Sequence, residues 1–283
     1  MTYTTRYIQI PSILFVVTFF LSACTILSPR VSERPKDRIS LEAEKIISTI
    51  ENQNIKLKTF KGVGNIKFRK NKKKDVAGRI AWIASAPDRI RIVLSSVSGQ
   101  PMVSVASDGQ WLYLNSHSSG DFYKKPATAS SMRRLLTISV KTEDMVDILA
   151  GRVPIHSYDT VVLTDNRSYV YNTEGHMVST RNGSKGSGQN GYVLVLKKKW
   201  GDILEKIYLD EKKKNVQKVE MFNATGTLAY RVEFDRMRAV NGYRIPSRLL
   251  VSNNDGSDFQ IDVDRYWVDA IVSPSVFVLT PPE

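Results

Sequence analysis

The sequence is poor in the residues from which reactive and metal centres are built. It holds one cysteine and three histidines in 283 residues. A single thiol excludes an internal disulfide framework and a cysteine-based zinc site. His117, His156 and His176 form no metal-spaced pair, which excludes a histidine-rich centre. There is no Gly-x-Ser-x-Gly elbow and no phosphate loop ending in Lys-Ser or Lys-Thr. Acids are few beside bases, 28 against 41, giving a formal net charge of +13. The remainder, 42% apolar and 24% charged, is the composition of a folded globular chain.

Long hydrophobic runs are missing too. Ile13–Phe20 is too short to span a membrane and suits the h-region of a signal peptide, with Arg6 supplying the n-region charge. It ends at Leu21-Ser22-Ala23-Cys24, which resembles the bacterial lipoprotein processing box. The expectation is that residues 1–23 are a signal peptide cleaved after Ala23. Cys24 would then carry a diacylglycerol thioether and an acylated amine. Acyl chains bind at about 0.8 kcal/mol per buried CH₂, so such an anchor is effectively permanent. Thr25 follows in place of an aspartate, which under proteobacterial sorting favours the outer membrane, with the protein facing the periplasm. Residues 24–38, with two prolines and many charges, read as a tether, and 39–283 as one domain. Export also removes the chain from nucleic acid. The basic runs Lys72–Lys74, Lys197–Lys199 and Lys212–Lys214 therefore read as a solvated rim or as attraction to anionic lipid headgroups.

Ser40 is expected to cap a helix with Ala43, Ile46, Ile47 and Ile50 on its apolar face. From Phe60 the period becomes two, through Ile80 and Trp82, Ile90, Ile92 and Leu94, and Met102–Val105. Asp108-Gly109 before Trp111–Leu114 is a hairpin signal. Residues 129–151 break the alternation. Met132, Leu135, Leu136 and Ile138 suggest one helix, and Thr142 is expected to cap a second that Gly151 and Pro154 stop. Strands then resume to Trp267, with turns at Asn223–Gly226 and Asn254–Gly256. The pattern predicts a mainly β fold, a curled sheet or barrel with helices over one face.

Two stretches imitate known sites. Gly186–Gly191 spells the dinucleotide fingerprint but precedes a strand pattern, so the helix that would hold a pyrophosphate is missing. Asp255, Asp258, Asp262 and Asp264 fit no EF-hand spacing, and alternation along a strand explains the last two. No cofactor or metal is expected, and the chain reads as a binding protein, not an enzyme.

Gly78–Trp82 followed by Pro87–Ile92 resembles paired early strands of the Lol lipoprotein-sorting superfamily. Ser96–Gln100 takes the place of its Pro-Leu-Gly turn, and Ile148–Pro154 resembles its Leu-Gly-x-Pro helix end. Ser107–Gly109 with Trp111–Tyr113, and the closing Phe277–Pro282, resemble elements of its soluble carriers, the LolA proteins. With the processing box, the chain is most similar to the outer-membrane receptor branch, LolB. The resemblance implies an unclosed antiparallel β-barrel of about 11–12 strands with a helical lid. It also implies a hollow interior for acyl chains of lipoproteins or phospholipid, a LolA-like periplasmic carrier as donor, and a monomer at the outer membrane. Ile80, Trp82, Ile92, Leu94, Val103, Val105, Leu112 and Leu114 are the candidates for the hollow, with Leu136 and Leu149 from the lid. Alternation says which of these share a face, not which face points inward. Val97, Ser98 and Gly99 would form the membrane-contact turn, with Ser98 where receptors carry a bulky apolar residue. Ala86 stands where carriers place an arginine. The alternative is an envelope sensor of the same fold that does not move lipid.

Overall fold

The computed structural model describes residues 35–69, 76–136, 138–166, 169–171, 177–179 and 191–282. Residues Ile39–Glu283 form one compact unit, and the residues up to Arg38 form another. Cys24, the signal segment, most of the tether, Lys72–Lys74, His176 and residues 186–190 lie outside the described residues.

The described residues are dominated by strands: β1 (Thr59–Arg69), β2 (Val76–Ser85), β3 (Arg89–Ser95), β4 (Pro101–Asp108), β5 (Trp111–Ser116), β6 (Phe122–Pro126), β7 (Thr160–Asp165), β8 (Tyr169–Tyr171), β9 (Met177–Ser179), β10 (Tyr192–Lys197), β11 (Ile203–Leu209), β12 (Val216–Phe222), β13 (Leu228–Val240), β14 (Tyr243–Ser252) and β15 (Asp258–Val268). Thirteen of them make one sheet in the order β6-β5-β4-β3-β2-β1-β15-β14-β13-β12-β11-β10-β7, and β8 pairs with β9 separately. Within β1–β6 and within β10–β15 sequence neighbours pair as hairpins, β7 pairs with β10, and the first strand meets the last, from Phe60 opposite Val268 to Arg69 opposite Asp258. The sheet is unclosed, with β6 and β7 as its edges. The count exceeds the expected 11–12 partly because β6 has no readable alternation. Its Lys124, Lys125 and Pro126 suit an edge that must not recruit another strand.

Three α-helices are found among the described residues: α1 (Pro35–Asn52) before β1, and α2 (Ala129–Leu136) and α3 (Thr142–Leu149) between β6 and β7. Helix α1 begins at Pro35 rather than at a Ser40 cap, a position where proline's missing N–H costs nothing. Ala43 and Ile47 pack on Leu194, Leu196, Ile207 and Val219, filling the inner face of β10–β12. Helix α3 starts after Lys141, so Thr142 lies within its first turn instead of capping it. The helix ends in a Schellman motif. Gly151 sits at φ +70, its N–H bonds to the Ile148 carbonyl, and the Arg152 N–H bonds to the Asp147 carbonyl.

The two ends of the sheet differ. At one end, Asn54 ties three elements together. Its Nδ2 donates to the Ala150 and Arg244 carbonyls, and its Oδ1 accepts the Arg244 N–H. Gln53 donates to the Gly151 carbonyl and Arg152 to that of Leu57. Inside this end, Phe60 stacks on Tyr266 at 5.6 Å, and Trp82 tilts against the same ring at 6.2 Å. Gly62 makes room for the indole, since a Cβ there would fall within the Trp82 ring. The opposite end consists of hairpin turns. There Asn223 Oδ1 accepts the N–H groups of Thr225 and Thr227, and Asn253 Oδ1 those of Asp255 and Ser257.

The outer face of β3–β5 is covered by the C-terminal segment. Phe277 and Leu279 are buried, Leu279 against Ala106 and Tyr113. Arg89 lies over the Phe277 ring, and Arg91 donates to the Val276 carbonyl.

Candidate functional site

Eight of the residues expected to face a hollow lie on the same, inner face of β2–β5. Ile80 opposes Leu94 and Trp82 opposes Ile92 across β2 and β3. Ile92 opposes Val105 and Leu94 opposes Val103 across the next pair. Leu114 opposes Val105, and Leu112 opposes Ser107. What covers this face then divides the set.

An apolar cleft of about 190 Å³ lies over the turn-bearing half of the face. Ile80, Ile92, Leu94 and Leu149 line it. Ile66 and Phe68 of β1, Val76, Ala77 and Gly78 of β2, Met145 of α3, and Phe259 and Ile261 of β15 complete the walls, with Ser95 and Met102 beside the mouth. Among the described residues that line it, Ser95 brings the only hydroxyl and none carries a charged side chain. Trp82 does not line it, because the indole is buried in the aromatic stack at the other end. Val103, Val105, Leu112 and Leu114 do not line it either. Helix α2 lowers Met132 onto Val105 and Leu112, and Val103 and Leu114 pack around that contact. Leu136 closes helix α2, and its side chain lies outside the described residues.

Strand β1 is where local reading falls short. Ile66 opposes Ile261 and Phe68 opposes Phe259. These pairs become neighbours only when the first strand meets the last, a contact that no local period encodes. Gly78 is the one local clue. A Cβ there would stand 2.5 Å from the Ser95 carbonyl oxygen, so the backbones approach too closely for any other residue.

The lid is pinned by polar contacts behind the cleft. Asp144 of α3 is buried, accepting the Tyr230 hydroxyl at 2.9 Å and contacting His156 Nε2 at 2.9 Å. Glu205 is wholly buried nearby. Burial, and next the charge of Asp144, push the Glu205 carboxyl well above the usual range. Burial, with Asp144 second, likewise raises the Tyr230 hydroxyl. On the other side of α3, the Tyr266 hydroxyl donates to the Leu149 carbonyl at 3.0 Å.

The turn 96–100 links β3 to β4 at the cleft's mouth. The Gly99 N–H bonds to the Ser96 carbonyl, the Ser96 N–H to the Gln100 carbonyl, and the Ser96 and Ser98 hydroxyls meet at 2.8 Å. Gly99 takes φ +91, which leaves Val97 at the tip with 76% of its surface exposed. Val76 and Met102 are also exposed at this rim.

The aspartates of β15 serve the sheet's outer face. Asp258 pairs with Arg69, Asp262 with Arg248 at 2.5 Å, and Asp264 accepts from Asn65 and lies 3.7 Å from Arg79. Arg248, together with Gln260, holds the Asp262 carboxyl below the usual range, although burial alone would raise it.

No protein-family model matches the sequence, and no curated protein matches it. Solved structures do. A DUF1329 family protein from Desulfovibrio piger superposes with a TM-score of 0.54 at 11% identity, covering 85% of this chain and 97% of that one. A LolA superfamily protein from Nitrosomonas europaea gives a TM-score of 0.51 at 12% identity, covering 84% and 97%. A domain assigned as an outer membrane lipoprotein-sorting protein, from Vibrio parahaemolyticus, gives 0.50 at 11% identity, again covering 84% and 97%. The unclosed sheet with its few helices is a LolA-like fold.

Proposed function

We propose that this protein is a lipid-anchored outer-membrane lipoprotein whose cleft accepts acyl chains of lipoproteins or phospholipid and helps insert them into the membrane. The observation that carries the reading is the cleft itself: it is apolar, and among the described residues that line it none is charged. Acyl chains bind by burial alone, about 0.8 kcal/mol per CH₂, so the role is binding and transfer without a reactive group. Cys24 supplies the anchor, residues 1–23 the export signal, and a LolA-like periplasmic carrier the cargo. Ala86 in place of a carrier-type arginine, together with the anchor, favours the receptor side of such an exchange. Val97 would be the point at which cargo meets the bilayer.

A fluorescent fatty acid is expected to bind and to be displaced by a diacylated peptide. Leu94→Glu, which puts a charge on the wall, is expected to weaken binding at least roughly tenfold, about 1.4 kcal/mol. Undiminished binding in Leu94→Glu would refute the cleft as the site. Cys24→Ala should abolish acylation and block signal processing, as read by radiolabelled fatty acid and mobility on gels.

A further inference from the structure

The four tryptophans of the chain are placed in three ways. Trp82 is in the core. Trp111 and Trp267 stand at the helix-bound end of the sheet, and each has a lysine over its ring, Lys124 at 4.5 Å and Lys61 at 5.4 Å. Trp200 is at the opposite end with 92% of its surface exposed. It occupies the hairpin turn between β10 and β11. The Lys198 N–H bonds to the Asp202 carbonyl, the Gly201 N–H bonds to the Lys198 carbonyl, and Gly201 takes φ +88. That geometry holds Trp200 outward at the tip of the turn.

Lys197, Lys198 and Lys199 precede it, and none forms an ion pair among the described residues. Two aspartates lie close. Asp202 is in the turn, and the carboxylate of Asp159 accepts the Lys199 backbone N–H at 2.9 Å. The run Lys212–Lys214 differs. At the opposite end Lys213 is bound to Glu42 of α1 and sits 4.0 Å over the Tyr192 ring. The Trp200 turn is also at the same end of the sheet as the cleft mouth and the Val97 turn, since Lys197, Ile203, Ser95 and Pro101 all lie at that end of their strands.

We propose that the Lys197–Gly201 turn is a docking point for the anionic headgroup surface of a bilayer, with Trp200 entering the interfacial layer and the lysines meeting lipid phosphates. Tryptophan favours that layer because its ring is apolar and its N–H polar, and lysines are drawn to anionic lipid. The proposal relies on the lipid-handling role for placing a bilayer within reach, and on the turn for its chemistry. It adds a second contact on the far flank of the sheet, which would orient the cleft mouth toward the membrane.

The test uses the full chain reconstituted in vesicles of phosphatidylethanolamine and phosphatidylglycerol with brominated acyl chains. Wild type is expected to lose roughly twofold more tryptophan emission than Trp200→Ser, since the other three indoles are common to both. The difference should shrink in brominated phosphatidylcholine and in the Lys198→Gln/Lys199→Gln double variant. Equal quenching of wild type and Trp200→Ser would overturn the proposal. So would a Trp200 shielded from aqueous iodide but not quenched by brominated lipid, the sign of a protein partner instead. Fatty-acid displacement from the cleft should be the same in wild type and Trp200→Ser. Failure of fatty-acid binding with Trp200 quenching intact would sink the acyl-site reading and leave the docking turn standing.

Discussion

The two ends of the sheet are built on opposite terms. The helix-bound end is crowded, with Phe60, Trp82 and Tyr266 in contact and Asn54 joining a helix end, the lid's C-terminus and a strand. The turn-bearing end has small polar loops and an unfilled cleft, with Val97 and Trp200 exposed at the tips of two of its turns. Both ends share the same strands and the same alternation. Close packing is concentrated at the helix-bound end, and the open space is left at the other. The comparison breaks if mutations at the two ends cost the same.

The largest difference is expected at Trp82. Trp82→Ala removes a buried indole from a close-packed stack and should cost about 3–5 kcal/mol of unfolding free energy. Leu94→Ala, on the same face but on the cleft wall, should cost only about 1 kcal/mol, because its neighbours already face empty space. Urea midpoints of the two variants measure this directly, and similar losses would mean that the cleft is as tightly packed as the stack.

Asn54→Ala comes next, at about 2 kcal/mol, since it removes three hydrogen bonds at a position with φ +55. Asn54→Gly restores the backbone freedom without the bonds, so the gap between the two variants isolates the cost of the left-handed conformation. If Asn54→Gly recovered wild-type stability, the tie between the lid and β14 would count for little.

Much of this architecture could be read in advance, and the reason lies in the range of the interactions. Ile80, Trp82, Ile92 and Leu94 share a face because strand alternation is local, and Asp108-Gly109 marks a hairpin because its turn chemistry is local. Asp108 Oδ1 indeed accepts the N–H groups of Gln110 and Trp111. The division of that face was not legible. Whether Val105 is roofed by Met132 or left to a cleft depends on where a short helix lands, and Ile66 and Phe68 join the site only through pairing with the far end of the chain. Glu205 was equally hidden. Alternation sets it on the face of Ile203, Ile207 and Leu209, but nothing local says that this face is fully covered, and there its carboxyl is buried.

That carboxyl makes the third prediction, concerning how the lid is held between the two ends. Glu205 is raised by burial and then by Asp144, so the folded protein keeps a proton that the unfolded chain releases. Its contribution is therefore full below the ordinary glutamate range and declines as pH rises toward the folded value. Glu205→Gln cannot titrate. Its stability relative to wild type should improve between roughly pH 5 and pH 7. Chemical unfolding at the two pH values is the measurement, and a constant gap would mean that Glu205 is ionised in the folded state.

The smallest effect on stability, and the sharpest on function, is expected at the tip of the open end. Val97 makes no buried contact that folding could lose, so Val97→Glu should stay within about 0.5 kcal/mol of wild type. Fatty-acid binding should also persist, because the cleft wall begins at Leu94 and Ser95, below the turn. Transfer of a bound acyl ligand to vesicles should fall, since a carboxylate must be desolvated where an isopropyl group would have entered the headgroup layer. Ser98→Leu adds an apolar side chain beside the same tip. Burying a leucine contributes roughly 1.5–3 kcal/mol, so this variant should bind vesicles more tightly. The pair separates two kinds of exposed residue. If Val97→Glu and Ser98→Leu both transferred ligand at the wild-type rate, the turn would be an ordinary hairpin connection, and delivery would have to be sought elsewhere along the open end.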